Sequence, residues 1–380
     1  MASLFWLSLA LVVYAYIGYP LVLYLLSRFG DRGRHLPSES SCRTVTVVIA
    51  AFNERAYIEE KIRNALSVDY PANFLRVIVV SDGSDDGTSE LAADMQDPRL
   101  TLKILPARGG KANALNVAID GLDTEIAVFT DANVMMESAA VRNLVARFSD
   151  SRCGCVTGRV ELLSMTSGEP LGEGAYMRFE RIVQRLESMA GSTVSVDGAM
   201  FAVRSSLLKR IPRGLILDDL FLAMTVAGSG YSIEFEPQAV AYERVPAEVK
   251  QEFRRKVRIA AGGFQLLPYL DFLRRPLRYP WLWFAFFSHK ILRWLSPGLL
   301  ILLLVSNLSV VADGSAYQVT LVGQIFCYGM AIVGALSRRS RQFWPIYSAY
   351  YFAAMNVAIL VGFFRWLSGS QSVTWNRVDR

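Results

Sequence analysis

Histidine is nearly missing from this 380-residue chain: there are two, His35 and His289. Neither stands in the central segment that carries the acidic motifs, so acid–base work there falls to carboxylates. Cysteine is almost as scarce, with four. Cys153 and Cys155 are separated by one residue, and Cys42 and Cys327 are isolated. The two close pairs that a zinc finger needs do not exist, and the thiols read as reduced and buried. Charged residues make up only 19% of the chain against 52% hydrophobic, which excludes an ordinary soluble enzyme. No Lys or Arg precedes the first apolar run, which excludes the basic start of a secretory signal peptide. No repeats or low-complexity segments occur, and no aromatic-basic motif points to nucleic acid as a partner.

What the chain does have is apolar sequence gathered at its two ends, which predicts membrane anchors around a soluble domain. The first anchor runs from Leu4 to Leu26, followed by Arg28, Arg32 and Arg34. Positive residues stay inside, so residue 28 onward is placed in the cytoplasm. Residues 28–43 are polar and read as a linker. Arg274, Arg275 and Arg278 precede Tyr279-Pro280-Trp281-Leu282-Trp283, the mix of a helix lying at the interface. Apolar spans follow at Leu292–Val311, Val319–Leu336 and Phe343–Leu367. The expected domains are therefore an N-terminal transmembrane helix (1–27), the linker (28–43), a catalytic domain (44–265), interfacial helices (266–291), C-terminal transmembrane helices (292–370) and a tail (371–380). The expected location is the inner (cytoplasmic) membrane, multi-pass, with the catalytic domain cytoplasmic. Net charge is +6, which suits membrane lipids with anionic headgroups as partners and also an anionic substrate.

Between residues 45 and 236, short β-branched runs alternate with helical stretches. Strands are predicted at Val45–Ala50, Leu75–Val80, Leu100–Leu105, Ile126–Thr130, Val156–Glu161 and Ser232–Glu236. The apolar stretch Ala199–Val203 joins them. Helices are predicted at Ala56–Leu66, Ser89–Met95, Lys111–Ile119, Ala175–Met189 and Leu220–Val226. This alternation means βαβ units and an α/β fold with a doubly wound, mostly parallel sheet.

Polar residues cluster just past the strand ends, where open α/β sheets bind ligands. Ala51, Asn53 and Glu54 follow the first strand. Asp82 opens the Gly- and Ser-rich turn of VVSDGSDDGT, where a carboxylate can accept from a base or ribose and Gly83 and Gly87 allow close backbone approach. Gly109-Gly110-Lys111 precedes a helix, and a lysine there can reach a diphosphate. Asp131-Ala132-Asn133 ends the fourth strand, and its carboxylate and amide oxygens suit a hard divalent cation. Such residues also favour plain turns and helix starts. Asp218-Asp219 is hemmed in by Leu215-Ile216-Leu217 and Leu220-Phe221-Leu222. Like-charge proximity there raises a pKa, which suits a general base.

The order VIAAFNE, VVSDGSDDGT, GGKANALN, FTDAN, LDDL and RRKVRIAAGG resembles the family 2 inverting glycosyltransferases of the GT-A fold, over roughly residues 43–265. The nearest look-alikes are membrane-bound exopolysaccharide synthases. The resemblance implies that Asp82 contacts the nucleotide base and that Lys111 lies near the nucleotide. It also implies that Asp131 is the first acid of the metal-binding DxD motif, with Asn133 in the place of the second, and that Mg²⁺ or Mn²⁺ is the cofactor. Asp219 matches the catalytic base, and Asp218 its neighbour beside the acceptor. Arg255 and Arg258 fall on the (Q/R)xxRW motif, with Ile259 where the family has Trp. The implied partners are a nucleotide-sugar, with UDP expected on family frequency, a glycan or lipid-linked acceptor, and other polysaccharide-synthesis subunits. Ile259 offers no aromatic face beneath an acceptor sugar, which puts processive synthesis in question. The tail around Trp375 faintly resembles the gating loop of cellulose synthases and is a candidate acceptor contact. Two alternatives stand beside single transfer: a processive synthase that exports its polymer, and a degenerate, non-catalytic scaffold or export subunit.

Overall fold

The computed structural model describes residues 1–29, 42–164, 175–245 and 249–371. Its strands, in chain order, are β1 (Val45–Ala51), β2 (Leu75–Ser81), β3 (Leu100–Ile104), β4 (Ile126–Asp131), β5 (Val134–Met136), β6 (Cys153–Ser164), β7 (Met200–Arg204) and β8 (Ser232–Val245). They form one sheet in the order β3-β2-β1-β4-β7-β6-β8-β5. β3, β2, β1 and β4 are mutually parallel. All seven residues of β1 and the first five of β4 are buried, as expected of central strands covered on both faces. Beyond β4 the sheet is mixed: β7 runs antiparallel to β4 and β6, β6 and β8 are parallel, and β5 runs antiparallel to β8.

Three elements go beyond the sequence reading: the three-residue β5 and the helices Ala140–Ala146 and Val249–Leu266. The last strand extends to fourteen residues rather than five. Of the cysteines, Cys153 and Cys155 are buried as expected, whereas Cys42 and Cys327 are exposed.

Contacts divide the chain into two units. The first comprises residues 1–22, 248–265 and 284–371, and the second, built on the sheet, residues 23–247 and 266–283. Helix Val249–Leu266, which carries Arg255 and Arg258, thus belongs almost wholly to the first unit. Among the described residues four helices are long and apolar enough to cross a membrane: Ala2–Arg28, Pro280–Asp313, Ser315–Leu336 and Trp344–Leu367. They mark a membrane protein. From Pro280 the segment read as interfacial is continuous with the span that follows it. Within the second unit, Trp281 Nε1 donates to the Ser192 carbonyl at 3.0 Å.

Within the first unit, polar groups join the helices. Tyr14 and Ser288 hydroxyls lie 2.9 Å apart, and Ser296 donates to Asn356 Oδ1 at 2.6 Å. Both Tyr14–Gly18 and Phe287–Ile291 are π-helical turns. Helix Val249–Leu266 seats closely on Trp344–Leu367. A Cβ on Gly362 would stand 2.6 Å from the Ala260 methyl, and Phe264 packs on Phe363 and Trp366 at ring separations of 5.1 and 5.8 Å.

Candidate active site

The strand order reverses direction at β1, which has β2 on one side and β4 on the other. This is where an open sheet presents a ligand crevice, beyond the strands' carboxyl ends. Of the residues singled out from the sequence, those that follow β1, β2 and β4 come together here with Lys111 and Asp218. Asp82 N–H donates to the Ala51 carbonyl at 2.9 Å, linking the ends of β2 and β1. Asn53, in the left-handed region at φ 53°, exchanges two hydrogen bonds with Asp85, at 2.7 and 3.1 Å. Glu54 is buried, and its N–H donates to Thr88 Oγ1 at 2.9 Å. The loops after β1 and β2 are thus clipped together into one rim.

Asp82, expected to contact the nucleotide base, also has a structural task. Its two carboxylate oxygens accept from the backbone N–H groups of Gly109 and Gly110, at 2.8 and 2.7 Å. Gly110 takes φ 88°, a left-handed value that a side chain would resist. Asp82 therefore shapes the glycine turn that launches helix Lys111–Ile119, and the turn aims Lys111.

Lys111 is the hub of the acidic groups. Its Nζ lies 2.7 Å from Asp131 Oδ1 and 3.8 Å from Asp218 Oδ2. Burial works against its charge, but Asp131, Asp218 and Asp219 together outweigh burial and hold the ammonium above the usual lysine range. Asp219 stands in the first turn of helix Asp218–Ala227, and its Oδ1 accepts from Leu220 N–H at 2.7 Å. Burial and the neighbouring Asp218 push the Asp219 carboxyl up to about 7, with Lys111 and the Leu220 hydrogen bond opposing them. A carboxyl tuned this way is half ionised near neutrality and can take a proton from a hydroxyl.

Asn133 is not presented alongside Asp131. It is buried, its Nδ2 donates to Glu243 Oε1 at 3.1 Å, and it lines a cavity of about 220 Å³ with Tyr57, Glu60 and Tyr242 that Asp131 does not line. Arg255 is exposed and ion-pairs with Glu252 at 3.9 Å on its own helix. Arg258 is one turn further along, part-buried, and Ile259 is 37% exposed. Trp375 lies outside the described residues.

Two residues escaped the sequence reading. Gly198 lies against Asp219: any Cβ there would collide with Asp219 Oδ2 and come within 2.8 Å of its Cγ. Lys61 is fully buried beneath the Asp131 turn. Its spacing with Ile58, Ile62 and Ala65 marks the inner face of helix Ile58–Leu66, the signal that could have found it.

Among the described residues no three or more His, Cys, Asp or Glu side chains are grouped to enclose a metal ion. Asp131 nevertheless keeps about a quarter of its side chain exposed and one oxygen beyond the Lys111 contact. One carboxylate at a crevice rim fits a cation such as Mg²⁺ or Mn²⁺, which is held by few protein ligands and completes its shell with phosphates and water.

Residues 42–262, more than half of the chain, match the family described as glycosyltransferase like family 2. The chain belongs to that family. It is 26% identical over 231 residues to the poly-beta-1,6-N-acetyl-D-glucosamine synthase of Staphylococcus epidermidis, covering 59% of this chain and 55% of that protein. It is equally similar to the synthase of the same name from Staphylococcus aureus. The chain thus spans about half the length of the curated relatives it matches. Among solved structures it resembles a mannosyltransferase from Pyrobaculum calidifontis in complex with GDP-Man and Mn²⁺. The TM-score is 0.69 at 25% identity, covering 97% of this chain and 100% of that one. The fold is GT-A-like, as the motifs implied.

Proposed function

We propose that this chain is an inverting glycosyltransferase of the cytoplasmic membrane, with its sheet unit in the cytoplasm. It moves a sugar from a nucleotide-sugar onto a glycan or lipid-linked acceptor in polysaccharide or glycolipid synthesis. The observation that carries this reading is the Lys111–Asp131–Asp218–Asp219 cluster, with a carboxyl at its edge held near neutral pKa.

Inverting transfer needs a base on the acceptor hydroxyl and positive charge on the leaving diphosphate. Asp219 takes the proton as the hydroxyl attacks the anomeric carbon from the face opposite the departing phosphate. Asp218 shares the acceptor end and keeps Asp219 basic through its charge. Lys111, aimed by the Asp82-bound glycines, reaches toward the diphosphate. Asp131 would hold the divalent cation, joined by Asn133 if its amide turns from Glu243; when bound, that cation neutralises charge developing on the leaving group. Ala51, Asn53 and Glu54 form the rim for the nucleoside. By the motif on which they fall, Arg255 and Arg258 are assigned to phosphate charge.

The test is turnover of radiolabelled UDP-sugars and GDP-mannose by membranes carrying the full chain, with and without Mn²⁺. UDP remains the expected nucleotide, and the GDP-Man of the solved relative makes GDP-mannose the second donor to try. Label transferred to a glycan or lipid supports the reading. Absence of turnover with every donor, in protein that still binds nucleotide, returns the scaffold alternative. A processive polymer synthase is the second reading, favoured by the polymer named in the curated relatives and opposed by Ile259.

A further inference from the structure

Helix Ile58–Leu66 turns a lysine inward. Lys61 has no solvent exposure. Its Nζ donates to Thr130 Oγ1 at 2.9 Å and to the Val134 carbonyl. These two acceptors bracket Asp131-Ala132-Asn133, one on the penultimate residue of β4 and the other on the first residue of β5. Three residues further along the same helix, Asn64 takes the far end of β5. Its Nδ2 donates to the Met136 carbonyl at 2.8 Å, and its Oδ1 accepts from Met136 N–H at 2.9 Å. The helix therefore grips the segment twice, but only the lysine grips the turn.

Burying an ammonium is costly, and an uncharged donor could have satisfied a hydroxyl and a carbonyl. What a lysine adds is reach: from a buried helical position its single Nζ spans Thr130 Oγ1 and the Val134 carbonyl and so closes the turn between them, while Lys111 meets Asp131 from the crevice.

We propose that Lys61 is a positioning residue for the cation site: by tying Thr130 to Val134 it fixes the turn from which Asp131 reaches the divalent ion. The inference rests on the reading of Asp131 as the cation-holding carboxylate.

The test uses the full chain in nanodiscs and follows Mn²⁺ binding by electron paramagnetic resonance, in parallel series with UDP and with GDP, beside thermal unfolding. Lys61→Met removes both bonds at nearly constant volume. It should raise the Mn²⁺ half-saturation about tenfold, the low end for losing hydrogen bonds to a charged group. Thr130→Val removes one bond and should raise it by less. The double variant should be no weaker than Lys61→Met alone, since the two changes act through one contact. Asn64→Ala is the control for mere structure: it should lower the unfolding temperature without moving the Mn²⁺ titration. Wild-type Mn²⁺ affinity in Lys61→Met overturns the proposal. So does an Asn64→Ala shift as large as that of Lys61→Met. If Lys61→Met does not fold, Thr130→Val decides, and an unchanged titration there is equally fatal. No Mn²⁺ signal on the wild-type protein with either nucleotide sinks the reading of Asp131 itself, and the inference with it.

Discussion

Gly198→Ala is the smallest change that should disable this site. The glycine is not in the left-handed region, so alanine fits its backbone. The added Cβ, however, would collide with Asp219 Oδ2, with Asp219 Cγ at 2.8 Å and Asp219 Cβ at 3.1 Å. The neighbouring backbone is fixed at the start of β7, where Met200 N–H donates to the Asp197 carbonyl at 3.1 Å. The movable partner is the Asp219 carboxylate, which must swing aside by about 1 Å or leave its rotamer, at a cost of roughly 1 kcal/mol. In a domain of this size that lowers the melting temperature by only about 2–4 °C. Catalysis is far less forgiving, because a misplacement of about 1 Å costs about 10²-fold in rate. The expected result is kcat down about a hundredfold at saturating donor, an unchanged nucleotide Kd and a nearly unchanged melting curve. Combined with Asp219→Asn, Gly198→Ala should add nothing further. A kcat within threefold of wild type would refute both the steric reasoning and the assignment of Asp219.

Asp219→Asn should cost about 10²–10⁴ in kcat while leaving nucleotide binding intact; near wild-type turnover would show that the base lies elsewhere. Since burial and Asp218 hold the Asp219 carboxyl at about 7, kcat/KM should fall as pH drops through neutrality and the base is protonated; a profile flat from about pH 5 to 9 contradicts this. The stability effect has its own sign. The folded chain keeps this proton up to about pH 7 and the unfolded chain releases it near 3.8, so Asp219 lowers stability as pH rises through that window, and Asp219→Asn should flatten the dependence. Asn133→Asp should tighten the apparent metal affinity if the side chain can turn from Glu243 to the cation; unchanged or weaker affinity in an Mn²⁺ titration would mean it serves only the Glu243 contact. With Ile259 where an aromatic face would hold a growing chain, products should be one or a few sugars long. High-molecular-weight polymer from protein in nanodiscs would overturn that, and its loss in Trp375→Ala would identify the tail as the substitute surface.

The parallel half of the sheet was legible because its strands are short, β-branched and separated by helices of ordinary length. Helix Lys111–Ile119 falls at its predicted bounds, because two glycines stop the preceding chain and the apolar periodicity starts at once. In the mixed half the longer strands were legible at Val156–Glu161, Ala199–Val203 and Ser232–Glu236, but neither their directions nor β5 was. β5 is three residues long and exists through its pairing with β8, and no local pattern encodes so short a strand. The direction of β7 depends equally on the chain's return path. At the site, residue types were readable but allegiances were not. Asp82 reads as a ligand-facing acid, and the sequence does not show that its oxygens also accept from Gly109 and Gly110, contacts more than twenty-five residues away in sequence. Lys61 was passed over because lysine defaults to the surface, although its helical position placed it among Ile58, Ile62 and Ala65.

The seat of helix Val249–Leu266 has a consequence for biosynthesis. Its packing partners, Gly362, Phe363 and Trp366, are encoded about a hundred residues after Ala260 and Phe264. At ribosomal rates of about 5–20 residues per second, the helix waits about 5–20 s for its groove to be made. The sheet strands are complete before that wait begins, since the last of them ends at Val245. Meanwhile the nascent helix exposes Phe264 beside Arg254, Arg255, Lys256 and Arg258, and a basic, amphipathic segment in that state adsorbs to an anionic bilayer surface. The bilayer is therefore expected to hold this segment during synthesis until residues 362–366 are made. Truncating the chain before Trp344 should yield a folded sheet unit whose Arg255 helix is readily cut by trypsin in detergent and protected on anionic vesicles.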